Sequence, residues 1–343
     1  MRSFPKRFKS YIFISLLVLT VSLSLWFGQA SPAATGHSQP RRSVVALVNQ
    51  GVERYQRGDF QGAIASWQTA LSLYHGTNNR GTNNRETSTL LTQAILLENL
   101  ARTYGELGNP DRALFYWQQS LRIQQQLSDR VKVGRLLTEQ AQTHMALGQY
   151  GQALEKLCGS GMSDGLGHDG LGHDGLGHDG EERDGAERDG GETCGDDSAV
   201  GIAMVVGDHL GEAAALGSLG EVLRLQGFYP AAEQTLRRGM AIATELNQVA
   251  YQVAANRGLG TIYQQRSQIS DRRARDAEAR GDLSDVEKLT QQAGEYNAAA
   301  LIFLETSLEA ARQTGDPQAQ LQTLTLLVRT YHRAGDTIAL AQA

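Results

Sequence analysis

A two-helix pattern recurs every 40 residues in this chain once three insertions are set aside. Four segments align: Gln50–Leu71 (QGVERYQRGDFQGAIASWQTAL), Leu100–Leu121 (LARTYGELGNPDRALFYWQQSL), Gln140–Leu157 (QAQTHMALGQYGQALEKL) and Leu219–Met240 (LGEVLRLQGFYPAAEQTLRRGM). Each carries a small residue (Gly51, Ala101, Ala141, Gly220) and then a turn glycine (Gly58, Gly108, Gly148, Gly227). An alanine follows the turn (Ala63, Ala113, Ala153, Ala232), and one helical turn later a large apolar residue (Trp67, Trp117, Leu157, Leu236). The small residue sits where two helices cross. The alanine lets the second helix approach, and the large residue fills the space toward the next pair. No single hairpin can bury that face alone, so the pairs must stack.

The glycine spacings locate the insertions. Gly58 and Gly108 are 50 residues apart, and the pentapeptide GTNNR, present twice over residues 76–85, accounts for ten of them. Gly148 and Gly227 are 79 apart, and the tract 159–197 supplies 39. The fifth repeat keeps register through Gly260, Ala300 and Leu304, with a helical insertion over 267–294. A sixth repeat begins at Leu324 and Leu327, turns at Gly335 and is truncated, exposing a ledge of Leu324, Leu327, Val328 and Tyr331.

These repeated positions resemble the tetratricopeptide repeat (TPR) family, over roughly residues 44–343. The 40-residue spacing is similar to its long-period variety, as in kinesin-light-chain-like arrays. The resemblance implies an all-α fold, a right-handed superhelical solenoid of helix-turn-helix repeats. It also implies that a protein or peptide partner lies along the face made by the first helices. A signal segment before long-period repeats further resembles the repeat arm of bacterial CHAT-type proteins, which end in a caspase-like peptidase domain. An arm of such a peptidase is therefore the alternative reading.

Residues 1–30 read as a signal peptide: Arg2, Lys6, Arg7 and Lys9, then an apolar run Tyr11–Phe27, then Gly28-Gln29-Ala30. Export to the periplasm or medium follows, with an uncleaved membrane anchor as the alternative. A linker over 31–43 leads to repeats one to three at 44–158, and 198–343 carries the rest of repeat three and repeats four to six. Without residues 1–30 the chain has 28 basic and 37 acidic residues. The tract 159–197 holds 12 of those acids and 2 of the arginines, so the repeats are nearly neutral. A nucleic-acid partner would need a basic stripe, and none is present.

Within that tract GLGHD occurs three times over residues 165–179, so rich in glycine that it predicts a disordered insertion. His168, His173 and His178 each precede an aspartate, which makes metal binding a second alternative function. The other reading is a functionless slipped-strand expansion, which the GTNNR duplication, also of period five, favours. Cys158 and Cys194, the only cysteines, flank the tract and form a candidate disulfide at the base of the loop.

Nothing in the sequence assembles an active site. There is no phosphate-binding loop, zinc-protease helix or dinucleotide fingerprint. His144 stands where other repeats have Tyr104, Tyr263 and Tyr331, which makes it a packing residue. His209 falls in a solvated turn. The expectation is a non-enzymatic protein with no cofactor and no small-molecule substrate.

Carried over by register, the face for a ligand includes Val48, Val52 and Tyr55, Glu98 and Arg102, then Arg135, Thr138 and Gln142. It continues through Gly217, Glu221 and Arg224, Arg257, Thr261 and Gln264, and Thr325, Arg329 and His332. Helical spacing pairs Glu98 with Arg102 and Glu221 with Arg224. Arg135, Arg257 and Arg329 are then expected to meet carboxylates of the partner. The candidate peptide-binding groove is therefore Tyr55, Arg102, Arg135, Arg224, Arg257 and Arg329.

Overall fold

The computed structural model describes residues 39–75, 83–159 and 194–335. Among them every element is an α-helix, and the chain divides between Gly148 and Gln149 into two compact bodies. The N-terminal body holds α1 (Gln39–Gln56), α2 (Phe60–His75), α3 (Asn83–Glu106), α4 (Pro110–Gln126) and α5 (Arg130–Ala146). The C-terminal body holds α6 (Tyr150–Cys158), α7 (Ala199–Val206), α8 (His209–Leu225), α9 (Tyr229–Glu245), α10 (Val249–Arg280), α11 (Leu283–Thr314) and α12 (Pro317–Ala334). Within each body successive helices pair: α1 with α2, α3 with α4, α8 with α9 and α10 with α11 form the hairpins. The contacts α2–α3, α4–α5, α9–α10 and α11–α12 stack one hairpin on the next.

Local chemistry sets the turns. Gly58 and Gly108 end α1 and α3 in the left-handed region, at φ 80° and 70°, where a Cβ would be strained. Asp59 then accepts from Gly62 N at 2.9 Å, and Asn109 from Arg112 N at 3.2 Å, satisfying orphan donors of the next helix. Between hairpins Ser128 and Asn247 make the left-handed bend, at φ 56° and 53°. Asp129, Asp208, Asp282 and Asp316 cap the helices that follow them.

The small residues at the crossings do what their spacing predicts. A Cβ on Gly220 would stand 2.5 Å from Leu236 Cγ, and one on Gly260 would stand 2.6 Å from Leu304 Cγ. Ala63, Ala101, Trp67 and Trp117 are buried together in the N-terminal body, with Leu96, Leu100 and Tyr104. Each large side chain removes about 1.5–3 kcal/mol worth of apolar surface from water.

Cys158 and Cys194 are joined as a disulfide. Gly195 N donates to Cys158 O at 2.8 Å, and the Ser198 hydroxyl accepts from Gly201 N at 3.1 Å to start α7. The end of α6 and the start of α7 are thus held side by side, and both pack on α8. The signal-like residues 1–30, most of the GTNNR duplication and the GLGHD copies lie outside the described residues.

The stretch 267–294 extends the two helices of the fifth repeat into one long hairpin, α10 running on to Arg280 and α11 starting at Leu283. Ser267, Ser270, Ala274 and Ala277 of α10 are buried, as are Ala293 and Asn297 of α11, so small residues let the two long helices touch. On α12 the expected ledge is mostly covered. Leu327 is 2% exposed because it packs on Leu304 and Leu308, while Leu324 and Tyr331 are half-buried. Leu321 and Val328 are the apolar residues of α12 that face solvent.

Candidate functional site

In the N-terminal body Val52 and Tyr55 of α1, Trp67 of α2, and Asn99 and Arg102 of α3 line one small, mostly enclosed hollow. The helical hairpins dictate this. Trp67 is locked by donating Nε1–H to Val48 O at 3.2 Å, so its ring forms the floor. Tyr55 packs against it with ring centroids 6.1 Å apart. Arg102 comes from the neighbouring hairpin. Its guanidinium lies 5.7 Å over the Trp117 ring and 3.6 Å from a Glu139 oxygen of α5, and its side chain is 14% exposed.

Glu98 does not pair with Arg102. Its carboxylate accepts from the Ser120 hydroxyl at 3.2 Å, facing α4, while Arg102 reaches toward α5. A residue four positions along α3 shares the face, but its long stem finds the ring and the second acid first. Burial pushes the Glu139 carboxyl above the usual range and Glu98 adds to this, against the pull of Arg102. Burial likewise pushes the Tyr55 phenol up, with Glu106 adding and Arg102 opposing. The site is therefore a fixed cation between aromatic walls in partly desolvated surroundings, where charge-assisted hydrogen bonds gain strength.

The other expected groove residues are dispersed. Arg224 on α8 is buried and pairs with Glu221, as its spacing predicts, at 2.7 and 2.8 Å, and it also donates to Gln265 at 3.1 Å. Thr138 is buried against the backbone of its own helix, and Gln264 is buried and donates to Leu326 O at 2.9 Å. Arg135 on α5 is exposed but already engaged within the chain. Arg257 on α10 is half-buried, and Arg329 on α12 is exposed. His144 is buried on α5, and His209 is exposed with Glu212 3.7 Å away. Among the described residues no three His, Cys, Asp or Glu side chains converge as metal ligands, and no helix is long and apolar enough to cross a membrane.

Sequence reasoning missed a polar station between successive hairpins. Gln68 Nε2 donates to the Tyr104 hydroxyl at 3.4 Å, and Tyr104 stacks on Tyr116 at 5.4 Å. In the C-terminal body Arg237 Nη2 donates to the Tyr263 hydroxyl at 3.2 Å, and Tyr263 stacks on Phe303 at 5.5 Å. Tyr331 donates to Glu305 in the same way. Gln68, Arg237 and Glu305 each stand five residues after the packing alanine of their helix. The recurrent tyrosines were visible in the sequence; the partners differ chemically, so no repeat signal marked them.

No protein-family model matches the chain, and no curated protein matches it. Solved structures do. Aspartyl phosphate phosphatase F from Bacillus subtilis is 14% identical with a TM-score of 0.51, covering 96% of this chain and 73% of that one. The kinesin light chain TPR-like repeats from Podosopora anserina are 17% identical with a TM-score of 0.41, covering 76% and 96%. BtubC from P. vanneervenii is 14% identical with a TM-score of 0.43, covering 76% and 91%. At these identities the likeness speaks to fold alone. The fold is that of the tetratricopeptide-like helical repeats.

Proposed function

We propose that the chain is an exported, non-enzymatic scaffold whose first-helix face holds a peptide segment of a partner protein. The observation that carries this is Arg102. It lines a small hollow with Tyr55 and Asn99, and stacking on Trp117 and the contact to Glu139 already fix its position. A preorganised cation beside an apolar floor suits a carboxylate followed by an aliphatic side chain, at little ordering cost on binding. The signal-like first 30 residues and the disulfide together support an oxidising compartment. An arm of a caspase-like peptidase would use the same face, so that alternative changes the partner and not the site.

The test is an array of short immobilised peptides probed with the purified chain. The parent should retain a subset enriched in an acid next to an aliphatic residue. Arg102→Gln and Tyr55→Ala should each lose that subset with the far-UV spectrum unchanged. A parent that retains no peptide, or variants that retain the same subset, would overturn the reading.

A further inference from the structure

In the C-terminal body two arginines are held against aromatic rings around one carboxylate. Arg237 of α9 lies 5.3 Å over the Phe303 ring, and Arg266 of α10 lies 5.1 Å over the Tyr296 ring. Glu233 sits between them. One of its oxygens accepts from Arg237 at 2.9 and 3.2 Å and from the Tyr263 hydroxyl at 2.6 Å, and the other accepts from Arg266 at 3.2 Å. Three helices therefore contribute to one node, and every charged group in it is restrained by two contacts or more.

The charge count does not close. Two guanidinium ions share one internal carboxylate, which leaves one positive charge. Arg237 remains 47% exposed at its side chain, and its Nη1 has no acceptor among the described residues. Arg266 uses one nitrogen of its fork. Ring stacking fixes both guanidinium planes, so their outward donors are preorganised for an acceptor from solvent. Arginine is enriched at the centres of protein interfaces, and here two of them keep donors that the chain does not use.

We propose that Arg237 and Arg266 form a second docking site, one that receives a carboxylate side chain of an acidic protein segment. Glu233 shows the geometry on the inner side: one carboxylate oxygen to each arginine. The partner's carboxylate takes the outer donors. This site lies in the C-terminal body and shares no residue with the Arg102 hollow.

The experiment uses the full chain and fluorescein-labelled oligoglutamate, with oligoglutamine as the uncharged control, read by fluorescence polarisation at low and high salt. The parent should bind oligoglutamate, not oligoglutamine, and weaken as salt rises. Arg237→Gln with Arg266→Gln should lower affinity on the order of tenfold or more, the scale of a charge-assisted contact. Arg237→Lys with Arg266→Lys keeps the charge and loses the planar fork, so it should bind with intermediate affinity, which guards against a folding defect in the glutamine pair. Arg312→Gln, at an exposed arginine of α11 outside both sites, should bind as the parent does. Equal binding by parent and glutamine pair, no binding by the parent, or an equal loss in Arg312→Gln would each overturn the proposal.

Discussion

Gly51 lies directly beneath the Trp67 indole: a Cβ placed on the glycine would stand 2.2 Å from Nε1. The ring cannot retreat without giving up its bond to Val48 O. Gly51→Ala should therefore cost about 1–3 kcal/mol, the usual range for an overpacked core. Chemical denaturation with unchanged slope would show it. A change within about 0.5 kcal/mol, the surface scale, would mean the ring has room to move.

Trp117 is 3% exposed and sits with Ala101, Ala113 and Leu136 in the N-terminal core. Trp117→Ala should cost about 3–5 kcal/mol, because the neighbours cannot collapse into the space. Trp117→Phe keeps a ring under Arg102 and should cost less. The ratio of the two separates lost volume from lost stacking on the cation.

Glu139 gives a pH signature. Its folded-state pKa is raised mainly by burial, so the folded chain keeps this proton at pH values where the unfolded chain has released it. Stability should fall as pH rises from the ordinary carboxylate range through the raised value. Glu139→Gln removes that loss. The variant should match the parent in acid and gain on it toward neutrality, as read by melting temperature across pH. A variant that falls further behind as pH rises would mean that the Arg102 contact outweighs burial.

The disulfide spans a sequence separation of 36 residues. Chain-entropy reasoning assigns a loop of this length about 3–4 kcal/mol. Reduction, or Cys158→Ser with Cys194→Ser, should lower the melting temperature of the C-terminal body. Oxidised and reduced samples that melt together would show that the backbone bond and helix packing hold α6 against α7 unaided.

Much of the fold could be read from Gly58, Gly108, Ala63 and Ala113, because spacing reports which face is apolar and where the chain must bend. Which polar side chain reaches which neighbour could not. Glu98 and Arg102 stand at a pairing distance along α3, yet Ser120 and Glu139 on other helices capture them. The Glu221–Arg224 pair within α8 is the exception that helical spacing predicted, whereas Gln265 of α10, which also accepts from Arg224, was not legible. The Glu233 node draws on α9, α10 and α11, and no single repeat contains enough of it to form a motif.

The joint between Cys158 and Cys194 has an architectural consequence. The ends of the interrupted helix are fastened to each other by a covalent bridge and a backbone hydrogen bond, so the repeat is expected to tolerate a change in what is threaded between them. Closure cost rises only with the logarithm of length. The position is a port: a foreign domain with adjacent termini could be spliced in there and carried on the side of the array, leaving the stacking of α8 on its neighbours undisturbed.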